Sequence, residues 1–154
     1  MSIIAVCLVL VLTVLAGLHL YWGFGGFWPG TDAVSLSQHV AGTSRPVASK
    51  LASCAMVATA LLAAAAIVFA GQRAIGDGVP ALIVFGGYVV LTLVFGLRGL
   101  APYLTPAFDY ARETPFFELN RRYYAPLCLL IALGLILSFP PGVARAVSRL
   151  FGSG

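Results

Sequence analysis

Four stretches of this chain contain no Asp, Glu, Lys or Arg: residues 3–22, 51–70, 80–97 and 124–139. Each is apolar throughout and near the length, about 20 residues, that a helix needs to cross a bilayer's hydrocarbon layer. In lipid the backbone must satisfy its own hydrogen bonds, which leaves helices or a closed barrel. Unbroken runs of this kind do so as helices. The runs therefore predict an all-α integral membrane fold, a single domain over residues 1–154 with four transmembrane helices. The fourth run is short and borrows turns from the aromatic stretch before it. Pro140-Pro141 then stops it, because neither proline can donate a backbone hydrogen bond. No Lys or Arg precedes the first run and no A-x-A site follows it, so it reads as a retained helix rather than a signal peptide.

Composition leads to the same place. Hydrophobic residues make up 60% of the chain and charged residues 9%, with a mean hydropathy of +1.00. A soluble domain carries about a quarter charged residues. Too few polar groups remain here to cover a folded surface, so lipid must cover much of it. The net charge of +4 is spread over loops and tail, which argues against nucleic acid as a partner. Cys7, Cys54 and Cys128 lie in separate apolar runs, with no CxxC and no Cys/His metal spacing. They read as small apolar residues. No metal and no cofactor is implied.

The second run is rich in alanine, and small residues let helix backbones approach closely in membranes. It is the expected centre of the bundle, with Gly86, Gly87 and Gly96 of the third run serving close approach in the same way. Four crossings put the first and third loops on one membrane face. Arg45, Lys50, Arg98, Arg112, Arg121 and Arg122 lie on that face, against Arg73, Arg145 and Arg149 on the other. The positive-inside rule then makes the loop face cytoplasmic and both termini external. Beyond Pro141, Val143, Val147, Leu150 and Phe151 share one helical face, the pattern of a short interfacial helix.

Alternation also gathers most of the polar side chains at one rim. His19, Tyr21 and Trp22 end the first run, and Arg98 ends the third. Glu118, Asn120, Arg121 and Tyr124 approach the fourth. Each has a plain reading as well. Tyr21 and Trp22 suit an interfacial belt, and Arg98 can snorkel to lipid phosphates. Glu118 with Arg121 suits an exposed pair. His19 can hydrogen-bond a carbonyl, but ionisable groups at membrane depth are functional candidates by default. Gly25 and Gly26 allow a tight turn where the chain leaves the membrane, and Pro126 fits the first turn of the fourth helix.

Three elements, HLYWGFGG at the end of the first run, Arg98, and RRYYAPLC opening the fourth, together resemble the signature of a bacterial family of small four-helix membrane proteins known only as a domain of unknown function. Its pattern is H-x-Y-W-x-x-G-G, an arginine closing helix three, and R-x-x-Y-x-P-L-C. Here these are His19, Tyr21, Trp22, Gly25 and Gly26, then Arg98, then Arg121, Tyr124, Pro126, Leu127 and Cys128. The resemblance implies a fold and a multi-pass location in the cell membrane, and no activity.

Three functions remain open. The preferred one is binding of a lipid or other amphipathic ligand, or of a membrane partner, at the rim, through His19, Tyr21, Trp22, Arg98, Asn120, Arg121 and Tyr124. Membrane lipids, a membrane protein and a second copy of the chain are the fitting partners. The alternative is a membrane enzyme on a lipophilic substrate, with His19 as acid/base and Glu118 orienting it; no specific catalytic motif accompanies them. A transporter or channel component is the third, against which no broken helix or inverted repeat is visible.

Overall fold

A computed structural model describes residues 1–46, 50–73 and 79–152. Helices dominate, and no strand occurs among the described residues. Helix α1 (Ile3–Gly23) starts at Ser2, whose hydroxyl accepts the Ala5 amide. A short α2 (Ala33–Val40) follows, capped by Asp32, whose carboxylate accepts the Val34 and Ser35 amides at 2.9 and 2.8 Å. Such a cap satisfies first-turn donors that have no partner within the helix. Then come α3 (Leu51–Gly71) and α4 (Val79–Leu104). A 3-10 turn at Pro106–Ala111 leads to α5 (Pro115–Leu119), a π turn at Asn120–Tyr124 and α6 (Ala125–Leu137). Last is α7 (Pro141–Gly152), bent by 61° from the helical run before it.

The helices α1, α3 and α4 are long and apolar enough to cross a membrane, and a fourth crossing results if the run Pro115–Leu137 and α7 count as one bent span. The exterior is correspondingly greasy: Val14, Ile83, Leu97 and Leu130 are each more than 60% exposed. The α4 helix runs past Leu97 to Leu104, and its 26 residues span roughly 39 Å, more than the hydrocarbon layer. Arg98 therefore lies inside a helix rather than closing it. The first charge marks the edge of the apolar run, and the backbone ladder continues beyond it.

Packing follows two close pairs, α1 with α3 and α4 with α6, joined through contacts of α3 with α4 and of α1 with α6. Ala64, Ala65 and Val68 of α3 share a core cluster with Ala5, Leu8 and Leu12 of α1, and Tyr88, Ile131 and Leu135 complete it. The alanines make one close pair rather than a central helix, since α3 exposes Met56, Leu62 and Phe69 on its other side. Among the glycines of the third run, Gly87 does meet a neighbour: an added Cβ would lie 2.8 Å from Ile67. Gly86 and Gly96 face open space, and α4 comes close to α6 instead at Gly99, where a Cβ would lie 2.7 Å from Leu129 and 3.0 Å from the Ala125 carbonyl.

Hydrogen bonds mark the two ends. At one, the Ser2 amide donates to Gln72 Oε1 at 3.1 Å and Gln72 Nε2 donates to the Ser138 carbonyl at 2.9 Å. At the other, the Tyr110 hydroxyl donates to the Ala41 carbonyl at 3.1 Å and the Tyr124 hydroxyl to the His39 carbonyl at 3.2 Å. The connections α1–α3 and α4–α6 therefore meet at one end. Residues 74–78 of the predicted second turn, Asp77 among them, lie outside the described residues, as do the side chains of Leu150 and Phe151. In α7, Val143 and Ala146 are buried while Arg145 and Arg149 are exposed, so its apolar face packs on the helices.

Folding of the first connection depends on Gly30. A Cβ there would stand 2.4 Å from the Leu36 amide nitrogen and 2.8 Å from its Cα, both backbone atoms. Leu36 is fully buried against Trp22 and Cys54 and cannot easily yield. Gly30→Ala is expected to cost about 1–3 kcal/mol by overpacking, read as a lower melting temperature in detergent. An unchanged melting point would mean that α2 shifts freely.

Candidate functional site

The rim end holds a partly open cavity of about 480 Å³, within the roughly 300–1,000 Å³ range of small-molecule sites. One wall is α1, with Leu15, Leu18, His19 and Trp22; another is α3, with Ser53, Cys54 and Val57. Arg98 of α4 and Tyr124, Leu127 and Cys128 of the last long helical run form the far side. Trp28, Pro29, Val40 and Ala41 cover it from the first connection. The walls are predominantly apolar, with Arg98 and His19 as the basic side chains among them.

Each polar side chain is held by a particular contact. A carbonyl only accepts, so His19 Nδ1 donates its hydrogen to Leu15 O, 2.8 Å away and one turn back on α1. The other ring nitrogen, Nε2, makes no hydrogen bond among the described residues. The imidazole also meets the Trp22 ring edge-on, with centroids 5.0 Å apart. Trp22 is 8% exposed, and its Nε1 donates to the Trp28 carbonyl at 2.7 Å, tying the first connection to α1.

Arg98 Nη2 donates to Asn120 Oδ1 at 2.9 Å, and the guanidinium lies 4.7 Å over the Phe108 ring. Its Nη1 is buried without a hydrogen-bond partner, and so is Nδ2 of Asn120. Asn120 opens the π turn, where the Ala125 amide bonds five residues back to the Asn120 carbonyl. Pro126, in the first turn of α6, has no hydrogen to give to the Arg121 carbonyl in that same register. The Tyr103 hydroxyl of α4 donates to that carbonyl instead. The π turn shifts the helical phase by about a residue, and Asn120 and Tyr124 bracket it.

Of the residues nominated from sequence, His19, Trp22, Arg98 and Tyr124 line the cavity and Asn120 stands directly behind Arg98. The others lie elsewhere. Tyr21 is 47% exposed and lies over Gly26, where a Cβ would fall 2.2 Å from its ring. Gly25 takes a positive φ of 91°, which a side chain rarely adopts, so the two glycines serve different needs. Arg121 is exposed, its guanidinium near the Tyr103 and Phe117 rings. Glu118 is exposed and makes no ion pair with Arg121 among the described residues, where the ion pair found is Arg112–Asp109 at 2.9 Å. Sequence reading missed Trp28, Pro29, Cys54 and Cys128 as wall residues. Cys128 stands one turn after Tyr124 and was legible by helical spacing; the others depend on how the first connection folds back.

The fold and cavity define a small all-helical protein whose exterior suits lipid and whose helices line a partly open, mostly apolar space. The chain belongs to the family described as protein of unknown function (DUF3995), whose model matches residues 12–135. That span contains the entire cavity wall, from Leu15 to Cys128, and leaves out α7. No curated protein and no solved structure matches the chain.

Proposed function

We propose that this is a multi-pass protein of the cell membrane that binds an amphipathic ligand between α1, α3, α4 and α6, beneath the first connection. The observation that carries the reading is the cavity itself: predominantly apolar walls, with His19 of α1 and Arg98 of α4 among them. An amphiphile matches that distribution, its tail against Leu15, Leu18 and Val57 and its head toward Arg98. Purification with native lipids followed by mass spectrometry tests it. The wild type is expected to retain a bound amphiphile that His19→Ala and Arg98→Ala each lose, while Glu118→Gln, altered at an exposed site outside the walls, retains it. Identical lipid profiles across all four proteins would refute the reading.

A second reading, an enzyme acting on a lipophilic substrate, has one observation in its favour. The Leu15 bond on Nδ1 leaves Nε2 of His19 available as a base at the cavity wall. Glu118 takes no part in it, being exposed and absent from the walls.

A further inference from the structure

Arg98 brings a positive charge to the cavity wall, and among the described residues no carboxylate pairs with it. The ion pair these residues do contain, Arg112–Asp109, is at the exposed surface. Arg98 spends one N–H on Asn120 Oδ1 and keeps Nη1 buried and unbonded. Asn120, 1% exposed, keeps Nδ2 in the same state. Both leftover atoms are donors. Arg98 as a whole is half-buried, but these two atoms are fully covered, and a buried donor without an acceptor is costly. The residue type at 120 sharpens the point. An aspartate there would neutralise the guanidinium within the protein, at the distance the asparagine now occupies. Asparagine keeps the bond that orients Arg98 and withholds the charge.

Resting on the ligand-binding reading above, we infer that the ligand's polar end is an oxyanion, a carboxylate or a phosphate. Arg98 binds it, and Asn120 is the positioning residue behind Arg98. An uncharged carbonyl or hydroxyl head would meet a donor but leave the charge unbalanced; a cationic head would be repelled. Arg98 is part of the wall, and rotation of its terminal bonds turns a guanidinium N–H to a ligand oxygen. Charge-assisted bonds of this kind, often bidentate, are the strongest hydrogen bonds available to such a site.

The molecule supplies its own reporter, because its two tryptophans, Trp22 and Trp28, both line the cavity. The full chain in neutral detergent is titrated with amphiphiles that share one brominated alkyl tail, which quenches tryptophan on contact. Their heads are carboxylate, phosphate, alcohol or trimethylammonium. The two anionic probes are expected to quench at concentrations about tenfold to a hundredfold below the alcohol. Arg98→Gln should abolish the difference and Arg98→Lys should keep part of it. Asn120→Asp should abolish it with the melting temperature maintained, since the new carboxylate takes the ligand's place beside the guanidinium. Competition by inorganic phosphate would assign the site to the anion alone; binding of the anionic probes without such competition would assign it to the acid-headed amphiphile. Equal quenching by alcohol and anions, or a preference that survives in Arg98→Gln, overturns the oxyanion while leaving amphiphile binding in place. No quenching by any probe, in a protein that melts normally, removes the ligand-binding reading itself.

Discussion

Trp22→Ala is expected to lower the stability of the purified protein by about 3–5 kcal/mol, the usual range for deleting a buried tryptophan. The indole is 8% exposed and packs with Leu36 and Cys54, so its removal opens the cavity toward the first connection. It also deletes the 2.7 Å bond to the Trp28 carbonyl, freeing the loop that covers the cavity. Two comparisons separate these contributions. Trp22→Phe keeps much of the packing and loses the bond, so it should cost less than the alanine variant. Trp28 is 65% exposed and offers Trp22 its backbone carbonyl, which any residue possesses. Trp28→Ala should therefore stay within about 0.5 kcal/mol of wild type, as exposed substitutions usually do. Denaturation in mixed micelles measures all three. Equal losses at the two tryptophans would refute the assignment of Trp22 as the anchor.

Gly99→Val is the second large effect, about 1–3 kcal/mol from overpacking, with a functional consequence attached. An added Cβ meets Leu129 at 2.7 Å and the Ala125 carbonyl at 3.0 Å, so α4 must move away from α6. Arg98 is the preceding residue on α4, and its bond to Asn120 crosses that same gap at 2.9 Å. Separation of the helices is expected to break this bond, and ligand retention should fall together with the melting temperature. Gly96→Val is the control, because nothing lies within 4 Å of its added Cβ. A variant pair with matching melting temperatures would mean that the α4–α6 contact is looser than these distances require.

The contrast between Gly96 and Gly99 shows where sequence reading stops. Both sit in α4, and composition cannot say which faces a neighbour; that depends on how the helix is rotated within the packed set. The same holds for α3. Its alanines announce close approach, but only the packing reveals that the approach is to α1 alone along most of its length. The first connection was the least legible part. Asp32 before a helix-forming stretch is a readable cap, yet nothing local says that α2 folds back to bury Leu36 and to bring Trp28 and Pro29 over a cavity.

Glu118 and Asn120 illustrate the same limit from the side of chemistry. By residue type the carboxylate looks the more reactive of the two and the natural companion of an arginine. The fold decides otherwise: Asn120 is turned inward to Arg98, and Glu118, two residues earlier in α5, remains at the exposed surface. Two positions apart on a helical run, the two side chains point to nearly opposite faces, so only one of them meets the charge.

What the sequence determined by itself was the helical, lipid-compatible character of the chain. Backbone hydrogen bonds in long uncharged runs have no local alternative, so hydropathy alone sufficed for that. The tertiary structure alone decided that His19, Trp22, Arg98 and Tyr124 surround one space while Tyr21, Glu118 and Arg121 do not. Those assignments depend on helix rotation and on a connection folding back across the rim, which are set by contacts between residues far apart in the chain.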